Sequence, residues 1–171
     1  MKNTCRTFTK RVVLGLTALM LLACSLEGAL AAGASIPVAH YTSASVSAQE
    51  QNAGNLLNSD RLRYGLPALT LDPELCRIAR IKSEDMRDNH YFAHTSPTYG
   101  DIRNMLTLMG YRYTAAAENI AHHATVEKAQ AAFLSSPGHR RNLLSANYTK
   151  VGIGVALDEK GFVYLTQIFC R

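Results

Sequence analysis

Val151-Gly152-Ile153-Gly154-Val155-Ala156-Leu157 decides the fold class. Large apolar residues alternate with glycine and alanine, which is the two-residue period of a strand with one nearly bare face. Such a face lets a helix or another backbone approach closely. Asp158-Glu159-Lys160-Gly161 reads as a turn and Phe162 to Cys170 as a second strand, so an antiparallel hairpin is expected at the end of the chain.

Working outward toward the N-terminus, the period becomes helical. Ser47-Ala48-Gln49-Glu50 has capping-box spacing, and Ala53, Leu56, Leu57 and Leu62 follow at helical intervals until Gly65 and Pro67. Asp72-Pro73 opens a second helix with an acidic N-cap and proline in the first turn. Its stripe Leu75, Ile78, Ala79 and Met86 predicts a buried face, with Tyr91 and Phe92 as core anchors at its end. A third helix starts near Asp101, turns Ile102, Met105, Leu106 and Met109 inward, and stops at Gly110 as a C′ residue. Thr125 caps a fourth helix, with Val126, Ala129, Ala132 and Phe133 facing in, that ends before Pro137-Gly138. Helices first and a hairpin last predict an α+β domain over residues 47–171, without internal repeats.

The N-terminal residues belong to export. Lys2, Arg6, Lys10 and Arg11 precede the apolar run Val12–Ala23, so residues 1–23 read as a signal peptide. Leu21-Leu22-Ala23-Cys24 resembles a lipobox in which Cys24 is lipidated and anchors the chain to a membrane. Ala29-Leu30-Ala31 offers an ordinary signal-peptidase site instead, and Cys24 can also simply close the apolar run. Residues 24–46, rich in Ala and Ser, read as a flexible tether. Every version places the domain outside the cytoplasm, secreted or lipid-anchored.

The net charge of +5 comes largely from that leader. Removing its four cations leaves fourteen Lys and Arg against thirteen Asp and Glu, which gives no footprint for nucleic acid. Of four cysteines only Cys76 and Cys170 fall in the domain. Export permits a disulfide between them, closing a loop of more than ninety residues; two separate buried thiols are the alternative.

Three segments carry chemistry. His94, in Phe92-Ala93-His94-Thr95-Ser96-Pro97, lies between a core anchor and a turn, where an imidazole serves as base or ligand, or as a surface-loop residue. Glu118, set among alanines in Ala117-Glu118-Asn119-Ile120, must be paired, hydrogen-bonded or protonated if buried; it is either functional or a structural cap. His139 follows Pro137-Gly138, where a helix has just ended and the cationic form is favoured. His122 and His123 read as solvated loop residues. There is no His-x-x-x-His, no cysteine pair and no Gly-x-Ser-x-Gly, so local spacing specifies neither a zinc site nor a nucleophile elbow.

In that order FAHTSP, AENIA, SPGHRRNLL and the closing VGIGVAL…VYLTQIF resemble the CAP superfamily of cysteine-rich secretory, antigen 5 and pathogenesis-related 1 proteins, and its bacterial SCP-like extracellular branch in particular. The resemblance covers residues 50 to 170. It implies a three-layer α-β-α sandwich with a central antiparallel sheet and an open cleft, which in eukaryotic relatives carries two histidines and two acids and sometimes a divalent metal. His94, Glu118 and His139 match three of the four. Ala117 replaces the usual glycine before the acid, Phe133 a frequent tryptophan, and the second acid, due near Ser135 or Ser136, is missing. The implied metal site, His94, His139 and Glu118 around zinc, is therefore expected to be weak. The expected function is a secreted or surface-tethered binding module for a lipid, glycan or envelope protein. The alternatives are a metal-assisted peptide or ester hydrolase using the same cleft, and an envelope or spore-surface component with an inert cleft.

Overall fold

The computed structural model describes residues 45–171. The leader, Cys24 and most of the tether lie outside the described residues. Val46, at the tether's end, already packs against the core.

Helix α1 (Ala48–Arg63) begins with the expected capping box between Ser47 and Glu50. A two-residue strand β1 (Thr70–Leu71) leads into α2 (Pro73–Asp88), capped by Asp72 on the Leu75 amide. Then come α3 (Ile102–Leu108), β2 (Ala116–His123), α4 (Val126–Ser135), α5 (Pro137–Leu143), β3 (Lys150–Leu157) and β4 (Val163–Cys170). The sheet order is β1-β3-β4-β2. β4 pairs antiparallel with both β3 and β2, whereas the short β1 runs parallel to β3. The closing hairpin is as expected. Gly110, at φ +72°, ends α3 as its C′ residue.

Two clusters of buried side chains flank the sheet. Leu75, Ile78, Met105 and Leu106 of α2 and α3 pack with Ile168 and Cys170. Ala53, Leu57, Phe133 and Leu143 of α1, α4 and α5 pack with Val151, Ile153, Leu165 and Phe169. The result is an α-β-α sandwich. The bare face of β3 meets α2: a Cβ on Gly152 would lie 2.3 Å from the Leu75 carbonyl carbon, and one on Gly154 2.0 Å from that of Ala79. Ser83 fastens the same contact through Gly154 O at 3.0 Å and the Thr166 hydroxyl at 2.8 Å.

Several expectations are corrected. The Ala-rich segment of Glu118, to which the sequence reading assigned no element, is strand β2: eight residues pair in register with β4, and ladder bonds with half-buried packing override alanine's preference for helix. His139 does not follow the end of the helical region. Ser136-Pro137 opens α5, with proline in its first turn, so His139 stands near a helix start. Phe92 and Leu62 are 53% and 62% exposed, and Ala132 is exposed while Gln130 is buried. Cys76 and Cys170 are free, buried thiols in different clusters, and the disulfide that export would permit is not formed. Burial pushes both thiols up to about 11. Cys76 Sγ accepts the Ile153 amide at 3.2 Å.

Candidate functional site

Strand β2 is an edge of the sheet, and Glu118 sits on its α2-facing side, opposite Ile168. Its side chain is only 3% exposed. Oε2 lies 2.7 Å from Nδ1 of His94, while Oε1 is buried without a hydrogen-bond partner among the described residues. An unpartnered buried carboxylate oxygen is costly, so this atom calls for a donor from beyond the described residues. The hydrogen bond to Glu118 raises the His94 pKa above its ordinary value, outweighing desolvation.

His94 rides on a loop that α2 holds from below. Lys82, fully buried, donates through Nζ to the Ala93 carbonyl at 2.9 Å, the His94 carbonyl at 3.1 Å and the Tyr91 hydroxyl at 3.1 Å. One turn on, Asp85 accepts from the Tyr91 hydroxyl, the Ser96 hydroxyl at 2.6 Å and the Thr98 hydroxyl at 3.0 Å. Desolvation lowers the Lys82 pKa, opposed by the charges of Glu118 and Asp85. α2 itself ends with His90 at φ +53°, a left-handed conformation uncommon for a residue other than glycine, and the Tyr91 amide returns to the Met86 carbonyl.

The third residue comes from the opposite layer. Asn119, on the other face of β2, donates to the His139 carbonyl at 3.1 Å, and Asn142 donates to Asn119 Oδ1 at 3.0 Å and to the Glu118 carbonyl at 3.3 Å. These bonds clamp α5 against the strand edge. The His139 ring packs edge-on to Phe133, with centroids 5.1 Å apart. Burial lowers its pKa, and the charge of His94 lowers it further. The cation preference expected of a helix C-terminus is thus reversed.

The clamp continues inward. Asn119 donates to Gln167 at 3.2 Å, Gln167 to Gln130 at 2.8 Å, and Gln130 to Asp60 on α1 at 2.8 Å. Sequence reading missed Lys82, Asp85, Gln130 and Gln167. Each interrupts an otherwise legible pattern only as one more polar residue, and polar residues are usually surface.

As a metal site the set fits poorly. His94 and Glu118 bond to each other, and among the described residues no three His, Cys, Asp or Glu side chains are grouped to hold an ion. Ser135, which with Ser136 stands near where the second acid was expected, turns its hydroxyl back to the Ala131 carbonyl at 2.9 Å. His122 and His123 close β2 rather than lying in a loop; His122 stacks on Tyr164 and bonds Asp158 at 3.0 Å.

Residues 55–169 match the cysteine-rich secretory protein family, CAP. The chain belongs to that family. Two Bacillus subtilis proteins are similar to it: the protein YkwD, 42% identical over 124 residues, and the membrane protein YlbC, 37% identical over 127. These matches take in 72% and 71% of this chain, but the chain spans only 48% and 34% of those relatives. Among solved structures, an extracellular protein containing an SCP domain from Bacillus anthracis is 37% identical with a TM-score of 0.66, over 72% of this chain and 40% of that one. An outer surface protein of Borrelia burgdorferi, 16% identical, gives 0.66 over 71% and 90%, which shows the shared CAP fold alone.

Proposed function

We propose that this CAP domain is an exported binding module whose cleft is read by Glu118, His94 and His139. Glu118 carries the reading: one oxygen holds His94, and the other is buried and lacks a donor among the described residues. A ligand hydroxyl or amide supplied there would satisfy it, a charge-assisted bond of about 1.5–3 kcal/mol. The similar Bacillus anthracis protein is extracellular, which supports export, and lipidation of Cys24 would keep the module at the membrane surface. Mass spectrometry of the mature N-terminus separates a lipidated Cys24 from a chain starting at Ala32.

The test of the cleft is ligand capture. Wild type and a His94→Ala/Glu118→Gln/His139→Ala variant are exposed to envelope extract, and the retained lipids, glycans and peptides are identified by mass spectrometry. A compound held by wild type and lost by the variant, with circular dichroism unchanged, is expected. Equal retention by both would end the reading.

The imidazole–carboxylate pair also favours a second reading, hydrolysis, because a base oriented by a carboxylate is half of an acyl-transfer site. No nucleophile or oxyanion donor pair completes it among the described residues. Purified protein is expected to turn over no simple peptide or ester. Robust turnover abolished by Glu118→Gln would make hydrolysis the function.

A further inference from the structure

Beyond Glu118 the same face of β2 leads to a group of rings that the site does not use. His122 stands four residues along the strand, on the Glu118 side, roughly 13 Å away. It lies flat on Tyr164 of β4, with centroids 4.0 Å apart and planes 13° apart. Phe162 approaches His122 to 5.8 Å and Phe92, from the His94 loop, to 6.5 Å. Phe92 and Phe162 are 53% and 42% exposed. Four rings from three separate segments, the His94 loop, β2 and the start of β4, thus meet at one surface.

Tyr164, Leu157 and Asp158 also line a groove of about 620 Å³, within the usual size of small-molecule sites. The charged groups along it are Arg87 and Lys160 against Asp88, Asp158 and Glu159. Two cations against three acids discourage nucleic acid, other polyanions and an anionic membrane. Polar groups along the groove disfavour an acyl chain, which needs an apolar wall. Aromatic faces interleaved with hydrogen-bonding groups, at near-neutral charge, complement a ligand that is apolar on its ring faces and polar at its rim.

We infer that this surface is a carbohydrate subsite: a neutral oligosaccharide lies along β2, its sugar faces on Phe92 and Phe162 and one end in the groove beside Tyr164. Its other end reaches Glu118, and that part alone rests on the cleft reading given above. His122 holds the platform together, since Asp158 fixes its ring against Tyr164 while the flanking phenylalanines stay open.

The probes are a tetramer of N-acetylglucosamine and a tetramer of glucose, titrated into the full chain and followed by amide chemical shifts. At least one should bind, with shifts centred on residues 92, 122, 162 and 164. Phe92→Ala/Phe162→Ala should weaken it about tenfold, and Phe92→Trp with Phe162→Tyr should restore it, since stacking needs a ring and not a particular one. Both phenylalanines are half exposed, so the folded state tolerates these changes. Binding lost in the ring variant but unchanged in Glu118→Gln would keep the subsite and discard the cleft reading. Absence of binding by both tetramers, affinity unaffected by loss of the rings, or capture of zwitterionic vesicles in their place would overturn the proposal.

Discussion

His94 and His139 are supported differently. Beneath His94 lies a charged clamp, with Lys82 and Asp85 one turn apart on α2 gripping the loop from residue 91 to 98. Beneath His139 lies a chain of carboxamides, Asn142, Asn119, Gln167 and Gln130, that meets an acid only at Asp60. A buried charge tolerates little, because removing one member strands the others; an amide chain gives up one hydrogen bond at a time. The contrast suits the imidazoles, of which one pairs with a carboxylate and the other packs on a ring. His94 is placed by electrostatics and His139 by shape.

Lys82→Met is expected to hurt most. It leaves the Ala93 and His94 carbonyls and the Tyr91 hydroxyl without their shared donor, at a cost of about 3 kcal/mol in urea unfolding, and broadens the His94 resonances. A loss below about 1 kcal/mol would show that water replaces the ammonium readily. Asn119→Leu should come next, at about 2 kcal/mol, freeing α5 while leaving the His94 titration in place. If it moves the His94 pKa instead, the two supports are one network.

The gentlest test is protonation. The two imidazoles should titrate on opposite sides of about 6.5, His94 above and His139 below. Because the folded His94 value is raised, its pairing with Glu118 stabilises the fold fully below about pH 6.5 and is lost as pH rises through the higher folded value. Glu118→Gln should bring His94 down toward the ordinary value and, by weakening its positive charge, let His139 rise slightly. Imidazole resonances followed from pH 5 to 9 report both. Unchanged His94 titration in this variant would remove Glu118 as the cause. Zinc should bind weakly to wild type, since Glu118 already holds one nitrogen of His94; ion retained through dialysis would contradict this arrangement.

Much of this fold could be read from residues 101–110 and 151–170, where caps, a C′ glycine and alternation agree with one another. His94, Glu118 and His139 could be read only through their motifs. Their supports could not. Lys82 and Asp85 look like the solvent side of α2, and nothing local says that a loop ten residues later folds over them. β2 was hidden because alanine argues for helix until a partner strand is known. The start of α5 was open to view in Ser136-Pro137, since proline opens helices as readily as it follows them. The ring platform joins residues 92, 122, 162 and 164, a conjunction visible only once β2 and β4 are paired.

The glycines of β3 have one more consequence. With main chain touching main chain at Leu75 and Ala79, α2 sits on the sheet like a ruler pressed against a straightedge. Lys82 lies three residues beyond that stop. Core side chains elsewhere can drift in size over generations without shifting the mark from which His94 is measured. A single methyl group at position 154 would move the ruler itself, and the error would surface at His94.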